Sequence, residues 1–105
     1  MPIPKPEIAV ATVILEQLGG RRFLAMTGAK HLLAHPSALS FRLPSNFARD
    51  GINHVHIELT TLDLYDVTFS RYRGSDVSYQ LRITGLDCEQ LPLVFTETTG
   101  LAVSL

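Results

Sequence analysis

The sequence predicts an α+β domain: a single-layer, mostly antiparallel β-sheet with an N-terminal and a C-terminal helix packed on one face. Three observations carry this. Apolar residues recur at helical spacing near both ends. The middle of the chain reads as consecutive strands in which apolar and polar residues alternate. The elements are segregated, helix then strands then helix, which is the order of an α+β fold. One apolar strand face needs one cover, so both helices belong on the same side.

Residues 1–6 hold Pro2, Pro4 and Pro6. Their fixed φ and missing N–H groups give an extended arm ahead of a single domain over 7–105. Glu7–Leu18 reads as the first helix, with Ile8, Ala11, Ile14, Leu15 and Leu18 on one face and Val10 and Val13 widening it. Gly19 and Gly20 end it. Arg22–Thr27 reads as a first strand, with poor alternation. Ala38–Leu43 alternates better, Leu39, Phe41 and Leu43 opposing Ser40 and Arg42, and Pro44 stops it. Asn46–Gly51 is a polar turn.

In Ile52–Thr60, Val55, Ile57 and Leu59 point inward, and His54, His56 and Glu58 outward. Tyr65–Tyr72 sends Tyr65, Val67 and Phe69 inward. Arg73–Asp76, reading RGSD, is a hairpin turn. Val77–Ile83 sends Val77, Tyr79, Leu81 and Ile83 inward. Asp87 with Gln90 three residues later forms a capping box for a helix reaching Thr99, with Pro92 in its first turn and Gly100 as its stop. The apolar tail LAVSL would add an edge strand or tuck into the core.

The chain's 105 residues suit one domain, and 46% hydrophobic against 18% charged residues suit a globular core. A net charge of -1 and a pI near 6.4 exclude a global basic field for nucleic acid. A single cysteine, Cys88, excludes an internal disulfide and suits a reducing compartment. The apolar run Ile8–Leu15 lacks the basic start of a signal peptide and is far shorter than the ~20 residues of a membrane span. A soluble cytoplasmic protein is expected.

Little of the sequence reads as chemistry. In QLGGRRFLAMTGAK (residues 17–30) no lysine directly follows a glycine and no hydroxyl residue follows Lys30. The glycine pair also follows a helix, which is the wrong order for a phosphate loop. Arg21, Arg22 and Lys30 remain isolated charges. His54, His56 and Glu58 project from one strand face, and their residue types are legitimate zinc ligands. His31 and His35 would share a face in a helix, but Pro36 follows at once. Cys88 reads as a small buried or semi-buried residue. Ser37 is no nucleophile elbow. No catalytic residue or cofactor is predicted.

The outward face could gather Arg42, His54, His56, Thr68, Ser70, Gln80 and Arg82, with Arg71 and Arg73 at the turn, but no aromatic platform interleaves with them. The leading reading is a non-enzymatic module that binds a protein partner. A second is weak nucleic-acid binding through Arg42, Arg71, Arg73 and Arg82. A third is a small metal-dependent enzyme using His54, His56 and Glu58. Self-association stays open.

Two segments, ILEQLGGRRFLAMTGAK (Ile14–Lys30) and VFTETTGLAVSL (Val94–Leu105), resemble a family of small proteins of phages and bacterial mobile elements. LSFRLP (Leu39–Pro44) and LTTLDLY (Leu59–Tyr65) resemble its middle, so the likeness covers nearly the whole chain. It departs at Ala102, where the family tends to carry an aromatic. The resemblance implies a phage or prophage accessory protein acting in a bacterial cytoplasm. It implies no activity, cofactor or catalytic residue.

Overall fold

The computed structural model describes residues 6–44 and 48–101. Most of the proline-rich arm, Asn46 of the polar turn and the tail beyond Leu101 lie outside the described residues. Three helices and five strands follow one another: α1 (Pro6–Leu18), α2 (Arg21–Thr27), β1 (Lys30–His35), β2 (Ala38–Arg42), a 3-10 turn (Arg49–Gly51), β3 (His54–Leu59), β4 (Tyr65–Arg73), β5 (Asp76–Leu86) and α3 (Gln90–Thr99). The strands form one antiparallel meander in the order β1-β2-β3-β4-β5. The predicted α+β class and the helices at both ends are present.

Alternation works as expected through the middle of the sheet. Leu39, Phe41, Val55, Ile57, Val67 and Phe69 turn inward and are buried. They meet Ala11, Ile14 and Leu18 of α1, Phe23 of α2, and Leu91 and Phe95 of α3 in one core. Val13 of α1 faces away from this core at 49% exposure. Four phenylalanines form its centre. The Phe95 ring lies 5.2 Å from Phe23, 6.2 Å from Phe41 and 6.4 Å from Phe69, and Phe23 meets Phe41 edge-on at 5.3 Å. Such tilted pairs add about 0.5–1.5 kcal/mol each beyond the area they bury.

The Arg22–Thr27 stretch is a helix, not a strand. Phe23 and Thr27 stand four residues apart and both are fully buried, which is helical spacing. The Thr27 hydroxyl donates to the Phe23 carbonyl at 2.7 Å and accepts from the Ala29 N–H at 3.2 Å. Gly28, at φ 71°, donates its N–H to the Leu24 carbonyl and closes the helix in the left-handed conformation that glycine adopts most readily. A Cβ there would also press on Pro44 Cγ at 3.0 Å. Gly19 and Gly20 therefore join two helices, and the first strand lies further on, at Lys30–His35.

The same device ends α3. The Thr99 hydroxyl donates to the Phe95 carbonyl at 2.7 Å and accepts from the Leu101 N–H at 3.2 Å, while Gly100 takes φ 77°. Both stretches read F-x-x-x-T-G. A threonine that bonds back to its own helix satisfies its buried hydroxyl without another partner. The two phenylalanines thus anchored are the pair that meets at 5.2 Å. At the other end of α3 the capping box is reciprocal. Asp87 Oδ1 accepts from the N–H groups of Glu89 and Gln90, and Gln90 Oε1 accepts from the Asp87 N–H.

Two irregularities in β5 change which side its residues face. Between the pairs Arg71↔Tyr79 and Tyr72↔Val77, β5 carries one extra residue, a β-bulge. Val77 therefore stands opposite Tyr72, on the uncovered side, and the expected inward row keeps only Tyr79, Leu81 and Ile83. The second bulge lies near Gly85, whose N–H donates to Asp66 Oδ1 at 3.1 Å.

Candidate functional site

The face of the sheet turned away from the helices is polar. Its residues align in cross-strand rungs, because directly paired residues in a ladder share a face. One rung is Arg42, His54, Ser70 and Gln80, and the next is Ser40, His56, Thr68 and Arg82. Glu58 and Asp66 form a third pair. Two shallow depressions open here. One, of about 210 Å³, is lined by Arg42, His54, Tyr72 and Gly74. The other, of about 260 Å³, is lined by His54, His56, Thr68, Ser70, Tyr72 and Gln80.

Three features set the geometry. The His54 ring lies edge-on to Tyr72, with centroids 5.3 Å apart. Tyr72 is held by Asn53, whose amide donates to the Tyr72 carbonyl and whose oxygen accepts from the Tyr72 N–H, both at 2.9 Å. Asn53 is buried, and its side chain imitates one more strand residue beyond the last β3–β4 pair. On the β1 side, His35 Nε2 and Ser40 Oγ are hydrogen-bonded at 2.9 Å, and the His35 ring lies 5.3 Å from that of His56. Ser40 is only 3% exposed. That leaves no room for a substrate against its hydroxyl, so the bond anchors His35.

The histidines titrate low. Burial first, then the neighbouring His56 and Arg42, hold His54 below its ordinary value of 6.5. Burial first, then His35, does the same for His56, against an opposing pull from Glu58. Unfolding releases both rings to 6.5, so the unfolded chain takes up protons first as pH falls. The stability these neutral rings support is fully present above 6.5 and declines as pH drops through their lowered folded values. Urea midpoints measured from about pH 7.5 down to about pH 5.5 should fall, and the double variant His54→Gln/His56→Gln should flatten that slope. Equal slopes in the two proteins would refute the assignment.

The candidate metal ligands do not converge. Along a strand His54 and Glu58 are four residues apart, about 13 Å, whereas ligands at roughly 2 Å from one zinc ion must nearly touch. Among the described residues no three His, Cys, Asp or Glu side chains form a group able to hold a metal. Cys88 is exposed, not buried; it sits in the turn before α3.

The four arginines also separate. Arg42 lies on the open face. Arg82 joins Asp66 Oδ2 at 3.2 Å. Arg71 has the inward parity of Phe69, and its Nε lies 2.7 Å from where a Gly51 Cβ would stand, so it belongs to the covered side. Arg73 is exposed at the end of β4, opposite Asp76. Lys30 pairs with Arg42 at the sheet's edge. Arg21 and Arg22 are exposed on α2.

Sequence reasoning missed Asn53, Tyr72 and the Ser40–His35 pair. Asn53 and Tyr72 meet only through the β3–β4 register. The FxxxTG repeat, by contrast, was open to inspection and marks α2 as a helix.

Fold and face together define a class: a small α+β domain with an open antiparallel meander, helices on one side and a polar surface on the other. No family model, curated protein or solved structure matches the chain. Among the described residues no helix is long and apolar enough to cross a membrane.

Proposed function

We propose that this chain is a non-enzymatic accessory protein of a phage or bacterial mobile element that acts by binding a protein partner along β5. One observation carries the reading. β5 is eleven residues long and, among the described residues, pairs on one side only, with β4. Its second edge offers backbone N–H and C=O groups to an added strand. The bulges limit the regular stretch to Tyr79–Ile83, the length of a short recognition segment. Leu81, at its centre, is 37% exposed and offers an apolar contact beside that edge. The partner would present an extended segment carrying an apolar side chain opposite Leu81.

The mobile-element origin rests on the resemblance of the Ile14–Lys30 and Val94–Leu105 stretches. These are the segments that contain the two FxxxTG helix ends, so the likeness speaks for a shared fold and leaves the binding face free to differ.

Leu81→Lys tests the reading. A partner captured reproducibly by the wild-type chain should be lost by L81K while the variant still folds by its melting curve, since Leu81 is 37% exposed and lies outside the buried core cluster. A partner retained by L81K, or none captured by the wild type, would sink the assignment to β5.

A further inference from the structure

We propose that Arg42, His54 and Tyr72 form a binding site for an oxyanion, a phosphate or carboxylate group carried by a small molecule. The two depressions on the open face meet at His54 and Tyr72. Their walls are rich in hydrogen-bond donors: the Arg42 guanidinium, the imidazole, the Tyr72 hydroxyl, the Gln80 amide and the Thr68 hydroxyl. A planar guanidinium matches the two oxygens of a carboxylate or phosphate.

Charge favours an anion at this end of the face. The carboxylates of the outer rungs, Glu58 and Asp66, pair with each other's strands four residues from His54 and Ser70, about 13 Å away. Asp66 is already shared between Arg82 and the Gly85 N–H. Lys30 pairs with Arg42 on the far side of β2, adding a second positive charge at the same end.

The site is built on strands. Arg42 stands directly opposite His54 in the β2–β3 ladder. Tyr72 is clamped through its backbone by Asn53. Groups positioned this way need little reordering when a ligand arrives.

Binding should depend on pH. His54 is faced by His35 from β1, Arg42 from β2, His56 on its own strand and Tyr72 from β4. Empty, its ring is held low by burial first and then by His56, Arg42 and His35. A bound anion supplies the opposite charge and favours the imidazolium, so binding takes up a proton and tightens as pH falls.

The test is a titration of the full isotope-labelled chain with inorganic phosphate, with acetate and with a nucleoside monophosphate, following the His54 ring, the Arg42 Nε–H and the Tyr72 ring by NMR. Saturable shifts are expected at all three residues, several-fold tighter at about pH 6 than at about pH 8. Arg42→Ala should weaken binding by about tenfold or more, and Tyr72→Phe by less. Arg21→Ala, on the exposed surface of α2, should change nothing. Preference for the two phosphate probes identifies a phosphoryl ligand, and preference for acetate a carboxylate ligand; either supports the site. Absence of a saturable response at His54 with all three probes overturns it. So does an Arg42→Ala chain that is folded by its melting curve yet responds like the wild type.

Discussion

Replacing Phe95 with alanine is expected to remove about 3–5 kcal/mol of folding stability, the usual cost of truncating a buried phenylalanine. The loss should sit at the upper end. Phe95 is 1% exposed and its ring approaches those of Phe23, Phe41 and Phe69, so the cavity would open where α2, α3 and the sheet all meet. A domain of this size holds roughly 5–15 kcal/mol in total, so the variant would keep at best a reduced margin. Leu93 lies on the same helix at 63% exposure. Leu93→Ala should cost no more than about 0.5 kcal/mol. Chemical denaturation of the two variants compares the faces of α3 directly. A cost below about 1 kcal/mol for Phe95→Ala would contradict the packing described above.

Asn53→Ala carries the second-largest expected effect, about 2–3 kcal/mol, because it orphans both the N–H and the carbonyl of Tyr72 at the end of the sheet. The change creates no large cavity, so the loss should come from polar groups left without partners. Asn53→Asp retains the acceptor for the Tyr72 N–H and removes the donor to its carbonyl, so it should fall between alanine and the wild type. Hydrogen exchange at the Tyr72 amide gives a local reading. That amide should lose protection in the alanine variant by more than global destabilisation accounts for, while amides in the centre of β3 follow the global change. Unaltered protection of Tyr72 in Asn53→Ala would remove the clamp from the account.

Much of the architecture was legible because alternation and helical periodicity are local. The inward rows of β2, β3 and β4, the α1 face and the Asp87–Gln90 box each lie within a few neighbouring residues. What escaped depends on information that is not local. Arg22–Thr27 mixes apolar and polar residues in a run of only six, too short for a period of two or of 3.6 to dominate, and its helix is set by Phe23 and Thr27 reaching the core. Lys30–His35 is a strand exposed along most of its length, so it carries no inward pattern to read. Val77 changed sides because a bulge shifts parity without leaving a composition signal.

The site divides the same way. That His54 and His56 share the open face followed from their spacing. That Arg42 stands beside His54 and Tyr72 leans on it required two strand registers. That Arg71 belongs to the other side was already implied by its parity with Phe69, which its nearness to the hairpin turn obscured.

In β2, β3 and β4, core and surface are interleaved residue by residue: Phe41 beside Arg42, Val55 between His54 and His56, Phe69 between Thr68 and Ser70. Neighbours in the chain therefore answer to different selective demands. An exposed position such as Arg42, Glu58 or Gln80 can change its chemistry for a few tenths of a kcal/mol, while its buried neighbour goes on holding the sheet to the helices. Ser40 and Ser70 are the exceptions, since both are outward in parity yet buried. A lineage carrying this fold can thus rewrite what its open face recognises, one substitution at a time, around two fixed hydroxyls and an untouched interior.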